Sequence, residues 1–396
     1  MGTDGALNAE EIKKMMDTTI GLQQQAQSAL KDAASRRVPV FDPRTTDAIE
    51  KDDNSAIIWT TKSIELAYQA IKEGFSLRKS PFYRGNINLR KPKLNFQYTE
   101  EELKEVIRCK KDIIYFANKY CYLKTEKGRR QIKLRPYQEK LLKHYQDNRF
   151  NITMQSRQTG KTTTTAIFAT WFTCFHVDKT FAIIANKDKI AAEVFGKVKA
   201  IIEDLPFFLK PGCYGFGPQN FSFDNGCRAV YSTATIDSIQ GFSVDCLYID
   251  EFAYIKNSKA REFWINVYPT ISSMDTSKVI ITSTPNGKNL FFELWQGAVT
   301  GKNGLKPFRV DWWQAPGHDE KWAAQERAMI GEEGFAQQYG LSFDAHMKSL
   351  LQSSTFHYLQ KIEQNFVAGL LSIGSDFDEC FRWSTQFRYS LKKDWF

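Results

Sequence analysis

The sequence predicts an α/β fold in which a mainly parallel sheet is flanked by helices, and three observations predict it. From residue 149 onward, short apolar runs rich in β-branched residues alternate with helical stretches, the pattern of parallel strands joined by crossover helices. Gly160-Lys161-Thr162 stands where one such strand gives way to a helix. A second apolar strand, Cys246–Ile249, runs directly into two acids, Asp250 and Glu251. Composition agrees: 42% hydrophobic and 25% charged residues are ordinary globular values, and no window approaches the ~18 consecutive apolar residues of a membrane helix. The length of 396 residues suits about two to three domains at ~150 residues each.

Taken in order, residues 8–35 read as a helix opened by Asn8 and Glu11, with a Gln-rich stretch, Gln23–Gln27, that weakens its apolar face. Residues 36–56, with Pro39 and Pro43, read as linker, and 57–73 as a second helix. Residues 76–98 are expected to be irregular and basic. Their Arg78, Lys79, Arg84, Arg90, Lys91 and Lys93, interleaved with Phe82, Tyr83 and Phe96, read as a solvated strip or a nucleic-acid contact. Thr99 and Glu102 form a capping box for a helix running through Ile107, Ile113, Ile114 and Phe116. Another helix runs from Leu134-Arg135-Pro136-Tyr137-Gln138 to Tyr145. Then come a strand over 151–154, a helix over 161–175, a strand over 181–185 and a helix over 190–205. A hairpin over 221–231 turns at Asp224-Asn225-Gly226, strands follow at 246–249 and 279–282, and a helix spans 290–299. Beyond Phe343 no period is evident, and there is no internal repeat.

The start of the chain lacks the basic-then-apolar pattern of a secretory signal. Seven scattered cysteines without a CxxC pair indicate neither a disulfide framework nor a zinc site, and suit a reducing cytoplasm. Lys and Arg number 54 against 45 Asp and Glu, a net charge of +9, which favours polyanionic partners such as nucleic acid or anionic lipid.

Four segments carry the chemistry. Ser156-Arg157-Gln158-Thr159-Gly160-Lys161-Thr162-Thr163 lies between a strand and a helix, the context a phosphate-binding loop needs, although Gln155 stands where the general pattern has Gly. Backbone N–H groups and the helix dipole favour a polyphosphate there, so a nucleotide is the expected ligand. Gly160 permits close backbone approach, Lys161 reaches the β- and γ-phosphates, and Thr162 offers a hydroxyl to Mg²⁺. Asp250 and Glu251 point differently if the strand continues; one holds Mg²⁺ and the other orients and deprotonates a water. Gln138 has an amide suited to adenine's edge, and Tyr137 a ring suited to stack on it. Thr282-Ser283-Thr284 precede a Pro-Asn-Gly turn at the carboxyl end of a strand, where hydroxyls sense the γ-phosphate.

These residues together resemble the large terminase subunit of tailed bacteriophages, in the contractile-tailed group. The resemblance covers roughly residues 80–360 and rests on the 156–163 loop, Tyr-Ile-Asp-Glu at 248–251, Thr-Ser-Thr-Pro-Asn-Gly at 282–287, Arg-Pro-Tyr-Gln at 135–138 and Asp-Ile-Ile-Tyr-Phe-Ala at 112–117. It implies a RecA-like P-loop ATPase core over 125–309 and a small helical subdomain from 57–124 and 310–345. An N-terminal helix and linker over 1–56 and a tail over 346–396 complete the expected organisation. It implies a packaging motor that hydrolyses ATP with Mg²⁺ and moves double-stranded DNA into a prohead. Residues 156–163 would then bind nucleotide, Thr162 and Asp250 the metal, and Gln138 the adenine. Glu251 would be the catalytic carboxylate, Arg157 would stabilise the transition state in cis, and Thr282, Ser283 and Thr284 would couple hydrolysis to motion. The implied partners are portal protein, a small terminase subunit and further copies of the chain in a ring, a pentamer, on the portal. The implied place is the host cytoplasm, attached transiently to the prohead and absent from the mature virion, with no membrane.

The family's nuclease domain is not expected here. Asp376, Asp378, Glu379 and Asp394 in the tail are close in sequence with no sheet to separate them, so the tail reads as aberrant or truncated. A superfamily 2 helicase would need a second sheet with its own arginines, which nothing after residue 300 suggests. A subunit that binds portal or DNA without hydrolysis would not need the loop and its acids.

Overall fold

The computed structural model describes residues 58–74, 77, 80–125, 128–234 and 243–344. The expected helix over 8–35 and the acidic tail after Phe343 lie outside the described residues. The chain divides into two compact units, residues 1–79 and 80–396. In the first, α1 (Thr61–Lys72) buries Ile64, Ala67 and Ala70 and starts at a reciprocal Thr60–Ser63 capping box, four residues later than the sequence suggests.

The second unit begins with a short hairpin, β1 (Phe82–Tyr83) and β2 (Asn86–Arg90). The sequence predicts an irregular stretch here, and the structure forms strands instead. Arg84 and Gly85 both take positive φ, the turn that matches strand twist in a tight hairpin. The single helix expected from Thr99 is two, α2 (Glu100–Lys111) and α3 (Ile113–Tyr120). Asp112 divides them: its backbone is extended, and its carboxylate accepts from the N–H groups of Ile114 and Tyr115 at 2.9 and 3.0 Å. A second hairpin, β3 (Tyr122–Thr125) and β4 (Gly128–Gln131), leads to α4 (Pro136–Asp147).

Next in the chain come β5 (Phe150–Gln155), α5 (Lys161–Phe175), β6 (Thr180–Ala185), α6 (Asp188–Asp204), β7 (Cys213–Phe216), β8 (Asn220–Phe223) and β9 (Arg228–Thr233). They are followed by β10 (Cys246–Asp250), α7 (Asn257–Ser272), β11 (Lys278–Ser283), α8 (Leu290–Val299), β12 (Lys306–Val310) and α9 (Glu320–Gln338). One sheet runs in the order β12-β5-β11-β10-β6-β9-β8-β7. Its first six strands are mutually parallel, and β8 and β7 add an antiparallel edge. The chain therefore has the RecA-like α/β architecture, and β8–β9 is the hairpin expected around Gly226.

Both faces of the sheet are covered, so its central strands are apolar on both sides. Phe181, Ile183, Tyr248 and Ile280 pack against Phe168 of α5, Phe195 of α6 and Phe116 of α3. Ile152, Leu247, Ile249 and Ile281 pack on the other side with Phe263 of α7 and Phe291 of α8. Helix α5 is buried all round despite its threonines. Thr170 and Thr173 return their hydroxyls to the carbonyls four residues back at 2.9 and 2.8 Å, which satisfies them without solvent. A smaller aromatic cluster, Trp312, Trp322, Phe335 and Tyr339, gathers at α9, where His318 stacks on Trp322 with ring centres 3.8 Å apart.

Candidate nucleotide site

β5 ends at Gln155 and α5 starts at Lys161, so residues 156–160 form a short loop at the carboxyl edge of the parallel strands. Gln158 and Gly160 both have positive φ, 63° and 81°. At Gly160 the requirement is double, because an added Cβ would also stand 2.6 Å from Gln138 Nε2. The loop is braced from several sides. Tyr137 Oη donates to the Thr159 carbonyl at 2.7 Å and Gln138 Nε2 to the same oxygen at 3.4 Å. Arg135 N–H donates to Gln138 Oε1 at 3.0 Å. Thr159 Oγ1 donates to the Ser156 carbonyl at 2.8 Å. The Ser156 N–H donates to the Val310 carbonyl of β12 at 2.9 Å, and the Arg157 N–H to the Gln338 carbonyl of α9 at 3.3 Å. Tyr137 and Gln138 thus act in this structure as supports of the loop.

Lys161 is where the motifs meet. Its Nζ lies 3.0 Å from Asp250 Oδ1 and 2.5 Å from Glu251 Oε1. Burial works against the ammonium, but the two carboxylates outweigh it and hold its pKa above the ordinary lysine value. Burial raises the pKa of Asp250; Lys161 opposes the rise and the Glu251 charge adds to it. Asp250 Oδ1 also accepts from the Glu251 N–H at 2.9 Å.

Strand alternation predicts that the two acids point differently. The strand stops at Asp250, and Glu251 turns into a left-handed conformation, φ 50° and ψ 44°. That turn brings both carboxylates onto one ammonium. The next strand supplies the third partner: Ser283 Oγ donates to Glu251 Oε2 at 3.4 Å and accepts from the Ala253 N–H at 3.1 Å. Thr284 Oγ1 is paired with Tyr254 Oη at 3.0 Å, whereas the Thr282 hydroxyl is buried with no partner among the described residues.

The structure therefore brings Lys161, Asp250, Glu251 and Ser283 together. Ser156 and Thr159 are buried in the loop, Arg157 and Gln158 lie exposed on its rim, and Thr162 and Thr163 are half-buried in the first turn of α5. The Arg157 charge acts on the Tyr339 phenol. Sequence reasoning missed Val310 and Gln338, which work through backbone carbonyls and leave no side-chain signal. It also missed Asn289, whose Nδ2 donates to the Ala253 carbonyl at 2.7 Å and whose Oδ1 caps α8; an Asn directly before an apolar helix was the available cue.

A divalent cation of the Mg²⁺ type fits this site. Thr162 and Asp250 are hard oxygen donors, and the buried Asp250 carboxylate already holds a cationic group at 3.0 Å. Among the described residues no group of three or more His, Cys, Asp or Glu could hold a metal alone. Among the same residues no helix is long and apolar enough to cross a membrane.

Residues 152–357, about half of the chain, match a family model described as "Terminase large subunit, T4likevirus-type, N-terminal". Two relatives named "Terminase, large subunit", from Thermus virus P23-45 and Thermus phage G20c, are each 30% identical over 128 residues. That stretch is 29% of this chain and only 26% of either relative. Among solved structures, the large terminase of bacteriophage HK97 gives a TM-score of 0.50 at 16% identity, covering 59% of this chain and 54% of that one. At that identity the likeness is one of fold.

Proposed function

The chain belongs to the T4likevirus-type large terminase subunit family, and from that membership together with the site's geometry we propose that it hydrolyses ATP to drive double-stranded DNA through a portal into a prohead. The observation that carries the proposal is the Lys161 ammonium, held between Asp250 and Glu251 at the mouth of a braced phosphate loop. In this reading the portal protein and a small terminase subunit are partners. Copies of the chain work as a ring, a pentamer, on the portal in the host cytoplasm, and leave before the virion matures.

The residues divide the chemistry as follows. The start of α5 presents backbone N–H groups and the positive end of the helix dipole to the phosphates. Lys161 neutralises charge on the β- and γ-phosphates. In moving its hydrogen bond from Glu251 to phosphate oxygens, it frees the Glu251 carboxylate to take a proton from the attacking water. Thr162 and Asp250 would hold Mg²⁺, whose contribution is to neutralise charge on the transferring phosphoryl group. Arg157, exposed on the loop's rim, supplies transition-state charge in cis, and Gln138 meets the adenine as it braces the loop. Ser283 ties Glu251 to β11, so a change at the carboxylate reaches Thr282 and Thr284 and the Pro285-Asn286-Gly287 turn beyond them.

Lys161→Ala tests this. It removes the side-chain cation directed at the phosphates and is expected to abolish ATP turnover in a phosphate-release assay. Turnover within about tenfold of wild type would overturn the assignment.

A further inference from the structure

The side of the sheet beneath the phosphate loop carries polar side chains that the chemistry above does not use. Along β5, alternation puts Thr153 and Gln155 on the face opposite Ile152 and Met154, and all four are buried. Register carries the polar face sideways. Thr153 stands beside Thr282 of β11, and Thr282 beside Asp250 of β10, so the three form one row on one face. Tyr248 lies on the same face two residues before Asp250, Thr165 approaches from α5, and Tyr145 from α4. The hydroxyls of Tyr145, Thr153, Thr165, Tyr248 and Thr282 and both polar atoms of the Gln155 amide are buried, and none makes a hydrogen bond of ordinary geometry among the described residues.

These groups are neighbours. Thr153 and Gln155 lie within hydrogen-bonding reach of the Tyr145 phenol and Thr165 within reach of the Tyr248 phenol, Tyr145 also bears electrostatically on Tyr248, and the Asp250 charge bears on both phenols. A buried polar group left without a partner is destabilising, because it gives up its hydrogen bonds to water and gains none in return. Six such residues in one layer, around one buried carboxylate, are the makings of a network closed by small side-chain shifts and internal water.

We propose that Tyr145, Thr153, Gln155, Thr165, Tyr248 and Thr282 form one coupled hydrogen-bond network that positions Asp250, and through it Lys161, for ATP hydrolysis. This rests on the assignment of hydrolysis to Lys161 and Asp250. The six act through Asp250, which makes them positioning residues. At the end of β10, Asp250 is held by Lys161 and the Glu251 N–H; the phenols and hydroxyls farther along the same face of the sheet fix the orientation of the same carboxylate. Nucleotide binding relies on loop N–H groups that the network does not touch, so its loss falls on kcat.

The test is a set of near-isosteric variants in the full chain, Tyr145→Phe, Tyr248→Phe and Thr153→Val, with Thr153→Ser as the conservative control. Turnover, ADP affinity and thermal stability are measured for each. Removing a polar group one step behind a reacting centre costs about 10- to 100-fold. Each Phe or Val variant is therefore expected to lose about tenfold or more in kcat with ADP affinity within about threefold, and Thr153→Ser to restore turnover. Tyr145→Phe combined with Tyr248→Phe is expected to cost little more than the worse single change, because coupled partners are not additive. A purely structural role would lower the melting temperature while kcat of the folded protein stayed at the wild-type value, and that result would overturn the network. So would single losses that multiply in the double variant. If Lys161→Ala abolishes turnover while these variants do not change it, the network alone fails; if Lys161→Ala keeps turnover, the reading of the site itself fails.

Discussion

Glu251 holds a left-handed backbone that costs a non-glycine residue about 1–3 kcal/mol, and its position at the end of β10 shows what that conformation achieves. It swings the carboxylate out of the strand's alternation and onto Lys161 at 2.5 Å. Replacing Glu251 with Gln keeps the shape and one acceptor oxygen but removes the group that accepts a proton. Nucleotide binding should survive, while hydrolysis should fall about 10²–10⁴-fold; equilibrium binding of a labelled ATP analogue beside single-turnover kinetics separates the two. Far from this site, Lys210 is buried, and its Nζ donates to the carbonyls of Asn88 and Glu203, each at 2.7 Å. Burial drives its pKa down from 10.5 to about 8. Above pH 8 the folded chain releases this proton while the unfolded chain keeps it, until about 10.5. Stability against urea should therefore gain from this residue as pH rises through that window. Lys210→Met should flatten that part of the pH profile, and an unchanged slope would show that the ammonium is not desolvated.

At the scale of elements, Gly160 joins β5 to α5 with φ 81° and no room for a Cβ beside Gln138. Gly160→Ala must strain the backbone and displace Gln138, which is fixed through Arg135 and Thr159. Nucleotide affinity is expected to fall about tenfold or more, read by calorimetric titration, with a lower melting temperature from about 1 kcal/mol or more of strain. The elements around this junction were legible in the sequence because each had a strong signal of its own. Helix α5 begins and ends where Gly160 and the apolar run indicate, and β6, β10 and β11 are short, largely apolar runs buried on both faces. The two acids, the lysine and Ser283 were legible as motifs, but the convergence of both acids on Lys161 was not, since it depends on one left-handed residue. β12 was illegible for a physical reason: it is an edge strand, mostly half-exposed, and carries Pro307, which an edge tolerates and a central strand does not. Helix α7 hides behind an internal Pro269 and α9 behind a non-helical Gly331. The polar face of β5, Asn151-Thr153-Gln155, looks in sequence like a solvent face, yet each of the three is at most 1% exposed, because α4 and α5 cover it.

For the whole molecule, the net charge of +9 bears on the proposed grip on DNA. A contact made mainly to phosphates releases counterions, so duplex affinity should fall about tenfold or more between roughly 50 and 200 mM salt, with little dependence on sequence; fluorescence anisotropy on two unrelated duplexes measures this. A salt-insensitive affinity would mean that charge contributes little to the grip. The same molecule shows where a mechanical load would be felt. Gln338, near the end of α9, holds the Arg157 N–H of the phosphate loop, and the helix breaks at Gly331, φ 77° and ψ 162°. Seven residues of helix separate the break from the contact, a lever arm of about 10 Å. A torque on the 320–330 half of the helix that pivots at Gly331 would reach the loop through this 3.3 Å hydrogen bond and through the packing of Phe335 on Trp312, two residues beyond Val310.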